Sequence, residues 1–276
     1  MKHAVHAGRK CLEGSCHLPG EVDLLVHCGV HRDGHVCEPA IAAYIQHALD
    51  INVEFRGRRT LSFDLLNGGC GMLNAAHVVS SLMKSGEVRV GMVVSSEANG
   101  DRRPDAGYPY PASGAALMLD LSPAPDAGFG EFAFRTDDAH ADLYTSAVHL
   151  KEKGGRLVMR RRVAELEAAW LSCAEIVVEE LLEREGIRRD AIDLVVPAQL
   201  PGDFADRLGK AIGFPPDRVA STGGRLPDTM STSTFLALDE AVSGDRIPPG
   251  GKVLLLAFGS GITVGAATYD FPSGRR

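Results

Sequence analysis

The chain has 276 residues, 45% of them hydrophobic and 24% charged, an ordinary globular composition for one large domain or two closely packed halves. Its net charge of −7 argues against a general nucleic-acid footprint, and no apolar run approaches the ~20 residues needed to span a bilayer. The opening MKHAVHAGRK lacks the apolar core of a secretory signal. A cytoplasmic protein is therefore expected, with Cys11, Cys16, Cys28, Cys37, Cys70 and Cys173 as reduced thiols.

In chain order, VDLLVHCGV (22–30) is a short apolar run that reads as a buried strand, and AIAAYIQHALDI (40–51) follows as an amphipathic helix. Between them His27, Cys28, His31, His35 and Cys37 offer zinc-type donors. Neighbouring side chains at a strand end point to opposite faces, however, and no paired CxxC accompanies them. Buried thiols and loop histidines are expected there, with no metal and no cofactor. A strand-like run then ends in Asn-Gly-Gly-Cys-Gly, and LNAAHVVSSLMKSG (73–86) reads as a helix stopped by Ser-Gly. VRVGMVVSSE (88–97) and SGAALMLDL (113–121) are further strands.

The second half repeats this order. A long helix over 163–185 carries an apolar stripe of Leu166, Trp170, Cys173, Val177 and Leu181. IDLVVPAQL (192–200), DFADRLGKAIGF (203–214), TSTFLALDEAVSG (232–244), KVLLLAFGSG (252–261) and ITVGAATYDF (262–271) then mirror the elements of the first half. Alternating strands and helices imply parallel sheet with helices on its faces, here duplicated as halves 1–125 and 126–276. Ahead of its first strand the first half has only HAVHAGRKCLEGSCH (3–17), with nothing strand-like upstream, so it looks shortened. The basic runs RGRR (56–59) and RRR (160–162) read as solvated loop charge.

The segments GVHRDGHVCEPAIA (29–42), FDLLNGGCGMLNA (63–75), LVVPAQ (194–199) and KVLLLAFGSGITVGAA (252–267) together carry a family resemblance. The chain resembles the thiolase superfamily, of the β-ketoacyl synthase III type, from about residue 10 to 271. Within that type it is similar to the head-to-head acyl-condensing enzymes of olefin and β-lactone biosynthesis, the OleA family. The resemblance implies a five-layered αβαβα sandwich and a dimer. It also implies a cysteine at a helix N-terminus that takes an acyl group, where dipole and amides favour thiolate. A His and an Asn would stabilise oxyanions, and a Glu reaching across the dimer would remove an α-proton.

Carried onto this chain, the family's Phe-Asp-x-x-Asn-Ala-Cys-x-Gly-Phe-x-Asn pattern matches at Phe63, Asp64, Asn67, Gly71 and Asn74 and puts the nucleophile position on Gly69. Cys70 is one residue late, which along a helix start turns a side chain by about 100°. The His position falls on Ala198, which can neither donate a hydrogen bond nor shuttle a proton. The Asn position falls on Asp228, whose carboxylate accepts hydrogen bonds only. The Glu is retained as Glu38 in Cys37-Glu38-Pro39-Ala40, with Pro39 suited to the first turn of the following helix. Ser260 and Gly261 match the glycine-rich loop whose amides approach the thioester.

These matches imply a subunit of a heteromeric fatty acyl thioester condensing enzyme that lacks its own Cys/His/Asn site. It would supply Glu38 as general base to a full-length homologue carrying all three, in the manner of the smaller subunit of the lipstatin-type heterodimer. The donors would be fatty acyl-CoA or acyl carrier protein. Two alternatives stay open at this stage: a non-catalytic scaffold or regulatory subunit, and a stand-alone acyltransferase or thioesterase using Cys70.

Overall fold

The computed structural model describes residues 1–53, 59–101, 107–124, 126–149 and 156–274. Its framework is two sheets of four strands. In the first, β1 (Leu24–His27) lies between two parallel neighbours, β2 (Leu61–Asp64) and β3 (Val90–Glu97). β4 (Ser113–Asp120) closes antiparallel on β3, giving the order β2-β1-β3-β4. The second sheet has the order β5-β10-β9-β8. Its strands are β5 (Gly128–Thr136), β8 (Leu194–Pro197), β9 (Lys252–Gly259) and β10 (Thr263–Asp270). β8 runs parallel to β9, and β10 runs antiparallel to both its neighbours.

The helices fall into three layers because the central strands are apolar on both faces, as parallel strands covered on both sides must be. Leu24 and Val26 of β1 point into the layer shared with Leu194, Val196, Val253 and Leu255 of the second sheet. That layer is filled by α3 (Gly71–Lys84) and α6 (Ser233–Ser243). Leu25, Met92 and Val94 point the other way, toward α1 (Lys2–Gly14) and α2 (Ile41–Ala48). On the far side of the second sheet, Val195, Leu254 and Leu256 meet α4 (Val163–Glu185) and α5 (Phe204–Ile212). The stack is therefore αβαβα.

The long helix matches its expected span, and all five residues of its apolar stripe are buried. Gly186, in the left-handed conformation, ends it. Two expectations need correction. The segment 3–17 is not irregular: α1 occupies most of it and is the first-half counterpart of α4. Its signal is weak because the buried positions are Ala4 and Gly8, small residues that carry the helical spacing without bulk. Pro39 is not in the first turn of α2, since Ala40 is the N-cap and Ile41 begins the helix. The amides of Ile41 and Ala42 are instead capped from outside by the two carboxylate oxygens of Asp64, at 2.9 Å each.

The duplication is incomplete at both edges: among the described residues, opposite β2 the second sheet has only an isolated Val195–Val219 bridge beside β8. β8, β9 and β10 take the places of β1, β3 and β4, but the place of β5 beside β10 has no counterpart beside β4 among the described residues. The stretch from 138 to 161 had no element assigned from sequence. It holds a short helical turn and a hairpin of β6 (Tyr144–His149) and β7 (Arg156–Arg161). The run 160–162 is accordingly not free loop charge: Arg161 lies over the Tyr110 ring and Arg162 pairs with Asp142. Residues 56–58 of the other basic run lie outside the described residues, while Arg59 is exposed.

Candidate active site where two helix N-termini meet the second sheet

The N-termini of α3 and α6 are built alike. A three-residue helical turn leads into each, Gly68–Cys70 into α3 and Met230–Thr232 into α6. Each turn opens on a residue at positive φ, Gly68 at 53° and Met230 at 56°. In this tight approach, Gly69 is pressed against the end of β9. A Cβ placed on it would fall 2.0 Å from the Phe258 carbonyl oxygen. The backbone here excludes any side chain, which is the physical content of the glycine.

Gly69, Ala198 and Asp228, far apart in sequence, line one cavity together with Ser260 and Met230. Tyr110, Tyr144, Trp170, Leu200 and Phe258 complete its wall and leave about 20 Å³, room for a single water and no acyl chain. Trp170 is locked by its indole N–H, which donates to the Gly259 carbonyl at 2.8 Å. Tyr144 enters from the β6–β7 hairpin, and its hydroxyl lies 3.4 Å from that of Tyr110. Burial pushes the Tyr110 hydroxyl up to about 12 and Tyr144 higher still, so both are neutral donors.

Asp228 is held by the Met230 amide at 2.8 Å. Burial nevertheless raises its carboxyl to about 6; the amide and Arg161 only partly offset this, and Glu97 adds to it. Glu97 itself is fully buried beside the turn that leads into α6. Its carboxylate accepts from the amides of Val30 and His31 at 3.0 and 3.1 Å and from the Ser231 hydroxyl, and faces His31 Nδ1 at 2.8 Å. Sequence reasoning missed Glu97, Tyr110 and Tyr144. The first is legible only as a carboxylate closing an apolar strand, and Tyr144 depends on a hairpin that had not been assigned.

Cys70 is not among the cavity residues. It is fully buried between the two sheets, its thiol 3.3 Å from the Ala257 carbonyl and 3.5 Å from that of Thr263. Burial pushes the thiol up to about 12, the opposite of what a nucleophilic cysteine needs. Gly261 follows Ser260 at a φ of 93°, and Ser260 lines the cavity whereas Gly261 does not.

Glu38 lies elsewhere. It is exposed, three residues ahead of α2, and is not among the residues that line its own chain's cavity. Asp64, at the end of β2, organises this corner. It pairs with Arg32 at 2.9 Å, stands 3.4 Å from His27 and caps α2. Burial alone would raise the Asp64 carboxyl, but His27 and the two α2 amides outweigh it and hold the group below its ordinary value. The candidate metal donors of 27–37 disperse: His27 faces Asp64, His31 faces Glu97 and His35 faces Asp101. Cys28 is buried, Cys37 exposed.

Two stacked, duplicated α/β sheets with two helix N-termini converging on a cavity at the strand ends define a thiolase-type fold. The same architecture is seen in β-ketoacyl-(acyl-carrier-protein) synthase III from Pseudomonas aeruginosa, with a TM-score of 0.84 and 20% identity over 100% of this chain and 84% of that one. A structure of Xanthomonas campestris OleA with lauric acid and lauroyl-CoA aligns with a TM-score of 0.81 and 18% identity, covering 98% of this chain and 82% of that one. In sequence, the β-ketoacyl-[acyl-carrier-protein] synthase III of Erythrobacter litoralis is 30% identical over 97% of this chain and 83% of its own length. A sequence profile for the C-terminal region of 3-oxoacyl-[acyl-carrier-protein] synthase III matches residues 182–271. The chain belongs to the β-ketoacyl-[acyl-carrier-protein] synthase III family.

Proposed function

We propose that this chain is the non-nucleophilic subunit of a heteromeric condensing enzyme that joins two fatty acyl thioesters, delivered on coenzyme A or acyl carrier protein. The observation that carries the reading is the cavity. Where the family resemblance puts Cys, His and Asn, the wall presents Gly69, Ala198 and Asp228, with no room for an acyl chain. A carboxylate at Asp228 accepts hydrogen bonds and would oppose a developing oxyanion. The chemistry is then completed on a full-length homologue that retains the three residues, and Glu38 of this chain acts as the base in that partner's site. A thioester α-proton is weakly acidic, so its removal needs a base within hydrogen-bond reach. A carboxylate entering an apolar acyl channel gains basicity by desolvation.

The elements that follow Glu38 in the chain carry exposed apolar residues that suit such a partner. Leu61 of the edge strand β2 and Tyr44 of α2 are exposed, as are Leu66 and Val53 in the loops that follow them, with 60%, 42%, 51% and 49% of their surfaces accessible. An apolar group on an open strand edge is the kind of surface that associates. The burial of Cys70 leaves the stand-alone acyltransferase reading without an accessible thiolate. The test is co-expression with a condensing homologue, assaying each subunit and the mixture with acyl-CoA. Condensation only in the mixture, abolished by Glu38→Gln with the complex intact, supports the role. Full activity of the Glu38→Gln complex leaves only a scaffold.

A further inference from the structure

The last turn of α1 runs into Ser15, Cys16 and His17, and the final residue of β4, Asp120, comes up beside them. The Cys16 thiol, a ring nitrogen of His17 and a carboxylate oxygen of Asp120 all lie within 4.8 Å of one another. The backbone that presents them is tied down: the Ser15 hydroxyl donates to the Leu12 carbonyl at 3.0 Å and accepts the His17 amide at 3.2 Å. The imidazole is oriented from both sides. Its Nε2 is 2.8 Å from Asp120 Oδ2, and its Nδ1 faces Glu21 Oε2 at 3.8 Å. Glu21 is in turn fixed by the Leu18 amide, at 2.7 Å.

We propose that Cys16, His17 and Asp120 form a binding site for a zinc-class divalent cation that clips the end of α1 to the end of β4. Thiolate, imidazole and carboxylate are the donors that borderline-soft cations take, whereas magnesium and calcium prefer oxygen alone. Zinc–ligand bonds of about 2.0–2.3 Å in tetrahedral array place donor atoms roughly 3.3–3.7 Å apart. Shifts of about an ångström by partly exposed side chains reach that arrangement. His17 binds through Nε2 while its Nδ1–H turns to Glu21, the outer carboxylate that commonly orients a ligating histidine. The fourth position is left to water.

The clip acts at the β4 edge of the first sheet. No strand pairs with the outer edge of β4 among the described residues, and α1 covers β4 directly. The contact is close enough that a Cβ on Gly114 would fall 2.3 Å from the His3 carbonyl oxygen. Of α1 only Ala4 and Gly8 are fully buried, with Val5, Cys11 and Leu12 half-buried against the same layer.

The test is a titration of the purified chain with Co²⁺, then displacement by Zn²⁺. One equivalent should bind with a thiolate-to-cobalt charge-transfer band, and zinc should raise the melting temperature. Cys16→Ser should abolish both effects. Asp120→Asn and Glu21→Gln should each weaken binding by about tenfold or more. Cys37→Ser, which removes another exposed thiol, should change nothing. Absence of the band from the unsubstituted chain, or its survival in Cys16→Ser, overturns the site.

Discussion

Reinstating a thiol at residue 69 should fail, and the structure sets the size of the failure. A Cβ there would lie 2.0 Å from the Phe258 carbonyl oxygen, against a floor of 3.0 Å that real Cβ contacts respect. The turn before α3 and the end of β9 must therefore separate by about 1 Å, between layers whose neighbours Cys70 and Ala257 are fully buried or nearly so. Overpacking of this kind costs roughly 1–3 kcal/mol. For a chain of this length that lowers the melting temperature by on the order of 2–12 °C. Gly69→Ala should lose as much as Gly69→Cys, because the clash begins at Cβ, and urea denaturation of the pair measures it. Incubated with an acyl-CoA, Gly69→Cys should give no thioester adduct by mass spectrometry, since the cavity holds one water and Ala198 donates nothing. A Gly69→Cys protein with unchanged stability and an acyl group on residue 69 would refute the reasoning.

Three other outcomes are expected. Burial raises the Asp228 carboxyl to about 6, above the ordinary aspartate value of 3.8. The folded state thus holds the proton more tightly, and stability falls as pH rises from about 4 to about 6, by at most on the order of 2–3 kcal/mol. Asp228→Asn should remove that slope from a pH series of denaturant midpoints, and an unchanged slope would assign it to other groups. Thiol reagents should modify Cys16 and Cys37 in the native protein and reach Cys28 and Cys70 only on unfolding. Rapid native labelling of Cys70 would contradict its burial. Trp170→Phe keeps an aromatic ring, though a smaller one, and removes the indole N–H that donates to the Gly259 carbonyl. It should cost about 1–3 kcal/mol in denaturant unfolding, and no loss would show that the bond does not hold the cavity wall.

Much of this was legible in the sequence because it depends on local periodicity. Strands such as 252–259 and the helix 163–185 announce themselves through runs of buried apolar residues and a terminal glycine. The turn ahead of α3 was legible through spacing within its motif, since Asn67, Gly71 and Asn74 bracket it. α1 escaped notice because its fully buried positions are two small residues, and Pro39 was misplaced because the cap on α2 comes from Asp64, 23 residues beyond Ile41.

The sequence by itself determined the duplicated α/β order and the identity of the residues at positions 38, 69, 198 and 228. Only the tertiary structure decided that Gly69, Ala198 and Asp228 share one cavity, that Trp170 and Tyr144 wall it in, and that Glu38 is exposed and outside it. The reason is physical. Periodicity and turn chemistry act over a few residues, whereas a cavity's volume and a carboxylate's pKa arise where segments more than a hundred residues apart exclude water from one another.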